Sequence, residues 1–364
     1  MSGTHSRIAP SSLARTVQCP ASLTMQERYP ESDGVEAAEG EAAHWAFASE
    51  TLVDVGVIAP NGVVLDEEMI QSSDAMRDLV ESWATPGGAR IEQRLTIPSV
   101  HAECYGTPDA YAWAVPRRHL RVADLKHGHG FVEVRENWQL MAYAWGAFDE
   151  SKITGAEEFD LTVDLTIVQP RSFHRDGPVR TWSTTGGDLR AYRNIAQSAA
   201  TEALGPNPRA HVGPECKYCK ARYACETLQR AALDVVDVVG KAEPLDLPTA
   251  AAAHELRRLD YASGLLEARR AGLASQLMSA ARAGEQVPHF HVEHGEGREA
   301  WSKPPAEVFA LGDLYGVELR KPAQPITPAQ ARKKGVDLPG FSVRPAGAAK
   351  LVADSPYSAA KVFG

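Results

Sequence analysis

The sequence predicts a mixed α/β (α+β) fold, with a central mixed sheet flanked by helices and then a long helix and a small C-terminal module. Three observations carry that expectation. Apolar residues recur at helical spacing early in the chain, switch to short alternating runs, and then return to helical spacing. Glycine and proline clusters punctuate the changes of period. The composition, 44% hydrophobic and 23% charged over 364 residues, is that of a folded globular chain and excludes wholesale disorder or a fibrous repeat.

The elements follow in order. Ala37 to Val55 places Ala38, Ala42, Trp45, Ala46 and Leu52 at helical spacing before Gly56 breaks it. Met69 to Trp83 reads as a second helix, closed by Pro86-Gly87-Gly88. The period then shortens: Ile91 to Ile97, Gly106 to Val115 and Leu120 to Leu125 are strand-like runs separated by turn residues. Trp138 to Phe148 is helical, Phe159 to Val168 alternates as a strand, and Gly187 to Leu204 is a helix ending before Gly205-Pro206. Lys241 to Pro248 reads as a linker. Thr249 then caps an Ala-rich helix to about Ala283, with Leu256, Leu259, Leu266, Leu273 and Leu277 on one side. These blocks divide the chain into a body, 1–240, and a C-terminal region of unassigned role, 241–364.

Charge narrows the function. The net charge is −9, and residues 241–364, with 16 Lys+Arg against 14 Asp+Glu, leave −11 on the body. Such a body does not coat nucleic acid non-specifically, although a local basic groove or a divalent cation can still offset phosphates. No run approaches the roughly 20 apolar residues of a membrane helix, and the N-terminus lacks the apolar core of a secretory signal. With only five cysteines, the chain reads as soluble and cytoplasmic and not as a disulfide scaffold.

The chemistry gathers on a few polar residues. Asp109 lies on one strand and Asp124 closes the next, so antiparallel pairing brings two carboxylates to one sheet end, where a divalent cation is the usual remedy for their repulsion. Lys126, two residues on, shares the face of Asp124 and can hold or deprotonate a water there. Glu92 on the preceding run is a further metal or water ligand. His44, inside Gly40-Glu-Ala-Ala-His44, offers an imidazole suited to manganese. Gln139 and Tyr143 share a helix face and can bond phosphate oxygens or stack on a base. Taken singly, each has a bland reading: a surface ion pair, a structural histidine, a chance amide and phenol.

Together, His44, Glu92, Gly106-Thr-Pro-Asp109, Asp124-Leu-Lys126 and Gln139-x-x-x-Tyr143 resemble the PD-(D/E)XK nuclease superfamily in its RecB-like branch. The resemblance covers roughly residues 10–230. It is nearest in layout to phage-borne RecB-like proteins, through Ala38-Glu-Gly-Glu-Ala-Ala-His44 and Gln139-Leu-Met-Ala-Tyr-Ala-Trp-Gly146. It implies a restriction-endonuclease-like core and a metal-dependent deoxyribonuclease, an exonuclease on single-stranded or unwound DNA ends in phage recombination or DNA processing. It also implies that Asp109, Asp124 and the backbone carbonyl of Leu125 hold Mg²⁺ or Mn²⁺ with His44 and Glu92, and that Gln139 and Tyr143 position the strand. The alternative is a non-catalytic DNA-binding or assembly module with the same fold, serving a recombination or replication partner.

Cys216-x-x-Cys219-x₅-Cys225 is a thiolate cluster one ligand short of four. Cys19, beside Pro20, is the favoured fourth, while Cys104 reads as a core residue. This spacing resembles the CRISPR-associated iron–sulfur exonucleases and implies a [4Fe–4S] cluster, with zinc as the alternative. Lys217, Lys220 and Arg222 around it are solvated charge or a DNA contact. His127 and His129 read as loop residues within reach of substrate, a flexible loop being the simpler account. His289, His291 and His294 alternate on a strand-like run and form a weaker metal candidate. Lys321, Arg332, Lys333, Lys334, Arg344 and Lys350 are candidate grips for nucleic acid or a partner.

Overall fold

The structure is a computed structural model describing residues 6–29, 35–49, 51–84, 88–114, 118–239, 248–288 and 290. The expected histidine run at 289–294 and the basic residues from 321 to 350 lie outside that description, except for residue 290 between them.

In chain order the helices and strands are α1 (Leu13–Gln18), α2 (Ser22–Glu27), α3 (Val35–Ala48), α4 (Glu67–Ser82), β1 (Arg90–Ile91), β2 (Leu95–Thr96), β3 (Tyr105–Gly106), β4 (Ala110–Ala114) and β5 (His119–Leu125). They continue with α5 (Trp138–Glu150), α6 (Gly155–Phe159), β6 (Thr162–Val168), β7 (Val179–Thr185), α7 (Gly186–Ala203), α8 (Glu226–Val239) and α9 (Thr249–Arg282). Strands β1, β4, β5, β6 and β7 form a mixed sheet in that order, and β2 pairs with β3. The fold class is therefore the mixed α/β arrangement that the periodicity implies.

Within the five-stranded sheet, among the described residues, β5 and β6 run parallel and the other neighbours antiparallel. A parallel neighbour needs a crossover, and α5 with α6 supplies it. Helix α5 starts at Asn137, whose side chain accepts from the backbone N–H groups of Gln139 and Leu140. Every residue from Leu140 to Phe148 is buried, which is why the helix is apolar on all sides. Gly146 admits β2, since a Cβ there would stand 3.1 Å from Ile97 and Leu95 side chains.

Strand β5 is buried on both faces. Leu120 and Val122 enter the large core with Tyr111 and the α5 side chains, while Ala123 and Leu125 join Phe47 of α3 and Met76 of α4 in a second core. The alternation places Asp124 on the α5 side and leaves Lys126 in step with it.

Two strands differ from the sequence expectation. The run Ile91 to Ile97 is not one strand. It breaks at Glu92, which adopts a left-handed φ of 47°, and its halves serve different sheets. Similarly, Gly106 ends β3, and the chain bends through Thr107 to Asp109 before β4 begins at Ala110. Strand β7 carries alternation too weak to announce it, with burial on one face only.

The boundary near residue 240 also shifts. The first compact unit runs to Glu285, because α9 packs on the cysteine segment; the second is Gln286–Gly364. Leu265 and Ala268 are buried with Cys216 and Leu228, and Arg269 donates to the carbonyls of Arg222 and Tyr223. At Gly272 a Cβ would stand 2.9 Å from the Tyr223 backbone nitrogen. Replacing Gly272 with leucine is expected to destabilise this docking by about 1–3 kcal/mol. Limited proteolysis should then cut α9 early while the sheet core survives; an unchanged digestion pattern would show that the close approach is dispensable.

Among the described residues, no helix is long and apolar enough to cross a membrane.

Candidate functional site

The antiparallel register of β4 and β5 pairs Ala110 with Ala123 and Tyr111 with Val122. Extending it by one residue sets Asp109 opposite Asp124 at the sheet end, on the face that carries Tyr111 and Val122. Both carboxylates are buried, at 5% and 2% exposure. Asp109 reaches this place because the bend before β4 is held closely. A Cβ on Gly106 would lie 2.8 Å from the Pro10 ring and 3.1 Å from Tyr143, so glycine is needed three residues before the aspartate.

Around Asp109 the helix α3 and the β1 kink converge. His44 Nδ1 is 2.8 Å from Asp109 Oδ1, and the Leu125 backbone N–H donates to Asp109 Oδ2 at 2.5 Å. Ligand atoms of His44, Glu92 and Asp109 all lie within 4.8 Å of one another. Donors bound at about 2.1 Å around an octahedral ion stand about 3 to 4 Å apart, so the group fits a hard divalent cation without large movement. This His/Glu/Asp group can hold a metal ion. The left-handed backbone at Glu92 has a use here, since it turns the carboxylate back toward the other two ligands at a local conformational cost.

Asp124 sits in a second, adjoining arrangement. Lys126 Nζ stands 2.8 Å from its Oδ2, and Gln139 donates to its Oδ1 at 2.7 Å. Lys126 also donates to Gln139 Oε1 at 3.0 Å, and Gln139 Nε2 lies 3.3 Å from the Tyr143 hydroxyl. Thus Gln139, expected to contact the strand, spends its amide on the carboxylate, the ammonium and the phenol. Tyr143 is 5% exposed. Asp124, expected in the ligand set, is engaged by Lys126 and Gln139 instead of standing in the close group.

The electrostatics fit a pocket made for positive charge. Burial opposes the ammonium of Lys126, but the Asp124 and Asp109 carboxylates outweigh it and hold its pKa above the ordinary lysine value. Burial likewise opposes the imidazolium of His44, and Asp109 overcomes it. Burial, then repulsion from Asp109, pushes the Glu92 carboxyl up to about 7. The folded protein therefore keeps this proton between about pH 4.5 and 7 while the unfolded chain has lost it. Metal-free protein must lose stability as pH rises through that window. At pH 8 in EDTA, Glu92→Gln is expected to melt above the parent by the equivalent of about 1 kcal/mol, after solvent screening of a carboxylate open on one side. Excess Mn²⁺ should reverse the order, because the parent then gains a ligand. Thermal melts in both buffers test it, and a parent that melts higher in EDTA removes the repulsion argument.

A family model described as "Protein of unknown function (DUF2800)" matches residues 5–356. The chain belongs to that family. The match spans both compact units, and the mixed sheet of this DUF2800 protein is compatible with a nuclease-like core.

In the DUF2800 chain the cysteines also converge. Cys19, at the end of α1, lines one pocket with Cys216, Cys219 and Cys225, and no two cysteines are disulfide-bonded. Backbone N–H groups of His211, Gly213 and Leu228 point at the sulfurs of Cys19, Cys216 and Cys225, each at 3.4 Å. Gln18 adds a side-chain contact to the Cys216 sulfur. Burial raises the thiol pKa values of Cys19, Cys216 and Cys219, so as free thiols they are protonated. Cys104 lies apart, buried in the large core.

One side chain beside the site was not legible beforehand. Arg171, three residues past β6, holds the segment after Lys126. Its Nη1 donates to His127 Nε2 at 2.7 Å and its Nη2 to His129 Nε2 at 2.8 Å. The same guanidinium meets Glu68 of α4 at 2.9 Å and Glu39 of α3 at 3.4 Å. Ser72 donates to the Glu68 carbonyl and so accepts from His127 Nδ1, which fixes a neutral tautomer. Burial, then Arg171, lowers the His127 pKa accordingly. Gln169 bonds the carbonyls of Gly128 and Gly130. The loop expected to be flexible is therefore pinned at four points. Nothing in local spacing marks Arg171, whose partners come from elements up to 132 residues away.

Proposed function

We propose that this protein is a metal-dependent deoxyribonuclease acting on single-stranded or unwound DNA ends. The observation that carries the reading is the pairing of two neighbouring arrangements, a His44/Glu92/Asp109 ligand group and a buried Asp124–Lys126 pair steadied by Gln139. Bound Mg²⁺ or Mn²⁺ supplies the positive charge that lowers the barrier to attack of water on a phosphodiester. His44, Glu92 and Asp109 hold it. The Leu125 N–H faces Asp109, and in extended backbone the carbonyl of the same residue points to the same side, which supports that carbonyl as a further ligand. Lys126, held beside Asp124, would orient the attacking water and steady phosphate charge. Gln139 keeps Lys126 and Asp124 in register, and Tyr143 lends its hydroxyl to Gln139.

The cysteine pocket supports a [4Fe–4S] cluster in the same protein. Its four thiols come from one end of the body and from the segment before α8, and the N–H groups aimed at sulfur suit thiolates that carry negative charge. Zinc would draw four thiolates to about 3.8 Å from one another. Among the described residues no three thiols gather within 4.8 Å, so the thiol spacing does not choose between the two. Such a cluster ties the ends of the nuclease body together.

Incubation with end-labelled DNA and Mn²⁺ tests the reading. Shortened products that disappear in EDTA are expected; retention of intact DNA bound to the protein would favour a non-catalytic DNA-binding module.

A further inference from the structure

We propose that the loop between β6 and β7, residues 169–178, is a stacking platform for an unpaired nucleobase of the substrate strand, with Phe173 as the contact. The inference rests on the nuclease reading and adds an element that grips the strand.

Three observations support it. The loop leaves the sheet at the catalytic end, since the carbonyl of Val168, its last strand residue, accepts the N–H of Lys126 at 2.8 Å. Arg171 then fastens it to His127 and His129, directly after that lysine. Beyond this anchor the chain presents Phe173 at 97% exposure, an apolar ring with no burial to reward it. The neighbours in the loop are flat or cationic: His174 stacks on Phe131 with centroids 5.0 Å apart, and Arg175 is 88% exposed. Asp176 is the one carboxylate of the loop, close to both Arg175 and His174.

The chemistry selects the occupant. Phe173 stands between Ser172 and His174, with Arg175 beyond, so polar and cationic groups flank the exposed ring in the chain. A nucleobase offers a π-face to one ring and its phosphate offers charge to a guanidinium, which is the pattern of sequence-tolerant single-strand binding. In a duplex those faces are hidden by stacking, so the platform takes unpaired bases.

The test is fluorescence anisotropy with a labelled single-stranded oligonucleotide in calcium buffer, using the full chain with Lys126→Ala present throughout so that the DNA survives. Phe173→Ala is expected to weaken binding about tenfold, and Phe173→Trp to restore it. Because the side chain is exposed, neither change should alter the melting temperature. The tryptophan variant should also show indole quenching on adding the oligonucleotide. If Phe173→Ala binds as tightly as its parent while the unmodified protein cuts DNA, the platform is wrong and the nuclease reading stands. If the unmodified protein neither binds nor cuts DNA, the nuclease reading fails and the platform goes with it.

Discussion

Alanine at Lys126 is expected to lower Mn²⁺-supported DNA cleavage at least about 100-fold while DNA binding persists. The size of the effect follows from where the ammonium sits. It is held 2.8 Å from Asp124 and 3.0 Å from Gln139, on a strand end whose backbone is tied to Val168. A group so fixed can act on developing phosphate charge without first reorganising, which is where such donors contribute most. The same removal leaves Asp124 buried beside Asp109 with its counter-charge gone, so the alanine variant should also melt lower. Gln139→Ala separates the two effects. It leaves the ion pair and removes the amide that aligns it, so kcat should fall with KM nearly unchanged. Initial rates on end-labelled DNA, read beside thermal melts, distinguish lost chemistry from lost folding. Full activity in a folded Lys126→Ala protein ends the assignment.

The second large effect is expected at the cysteine pocket. Cys216→Ser should abolish the visible absorption of a brown, iron-containing preparation and lower the melting temperature by about 10 °C or more. Cys19 and Cys216 are separated by nearly 200 residues, and a cross-link closing about that much chain is worth about 5 kcal/mol in the chain-entropy picture. Removing one thiolate also unsettles what packs on it: Cys216 is buried with Leu228 and with Leu265 and Ala268 of α9. Cys104 is the internal control. It lies in the main core away from the pocket, and burial pushes its thiol up to about 12, so Cys104→Ala should keep the colour. Iron and sulfide analysis of the parent decides the matter directly; stoichiometric zinc in a colourless protein would replace the cluster with a zinc site.

Several local features could be read early because they depend on neighbours in sequence. Helix α9 begins at Thr249 as the apolar spacing requires, but the expected cap is not formed: Pro248 holds the N-cap position, without a side-chain hydrogen bond, and Thr249 is the first helical residue. The pairing of Asp109 with Asp124 follows from alternation and one turn between adjacent strands, and the register places them opposite each other. Glu92 was legible as a ligand but not as a kink, because its left-handed backbone is imposed by the two sheets that part at that point. Gln139 was legible as a candidate site residue, but its partners follow from the depth of α5 against β5.

By itself, then, the sequence determined the fold class, the main helices and strands from α3 to β6 with α7 and α9, and a candidate set of acidic, lysine and thiol groups, because periodicity and short motifs report interactions within a few residues; α1, α2, α8 and β7 left no such signal. Tertiary structure alone decided which oxygens stand together around Asp109, that Arg171 clamps the segment behind Lys126, and that α9 belongs to the cysteine-bearing body. Those outcomes rest on contacts between residues far apart in the chain, and such contacts exist only once the packed sheet has set the distances.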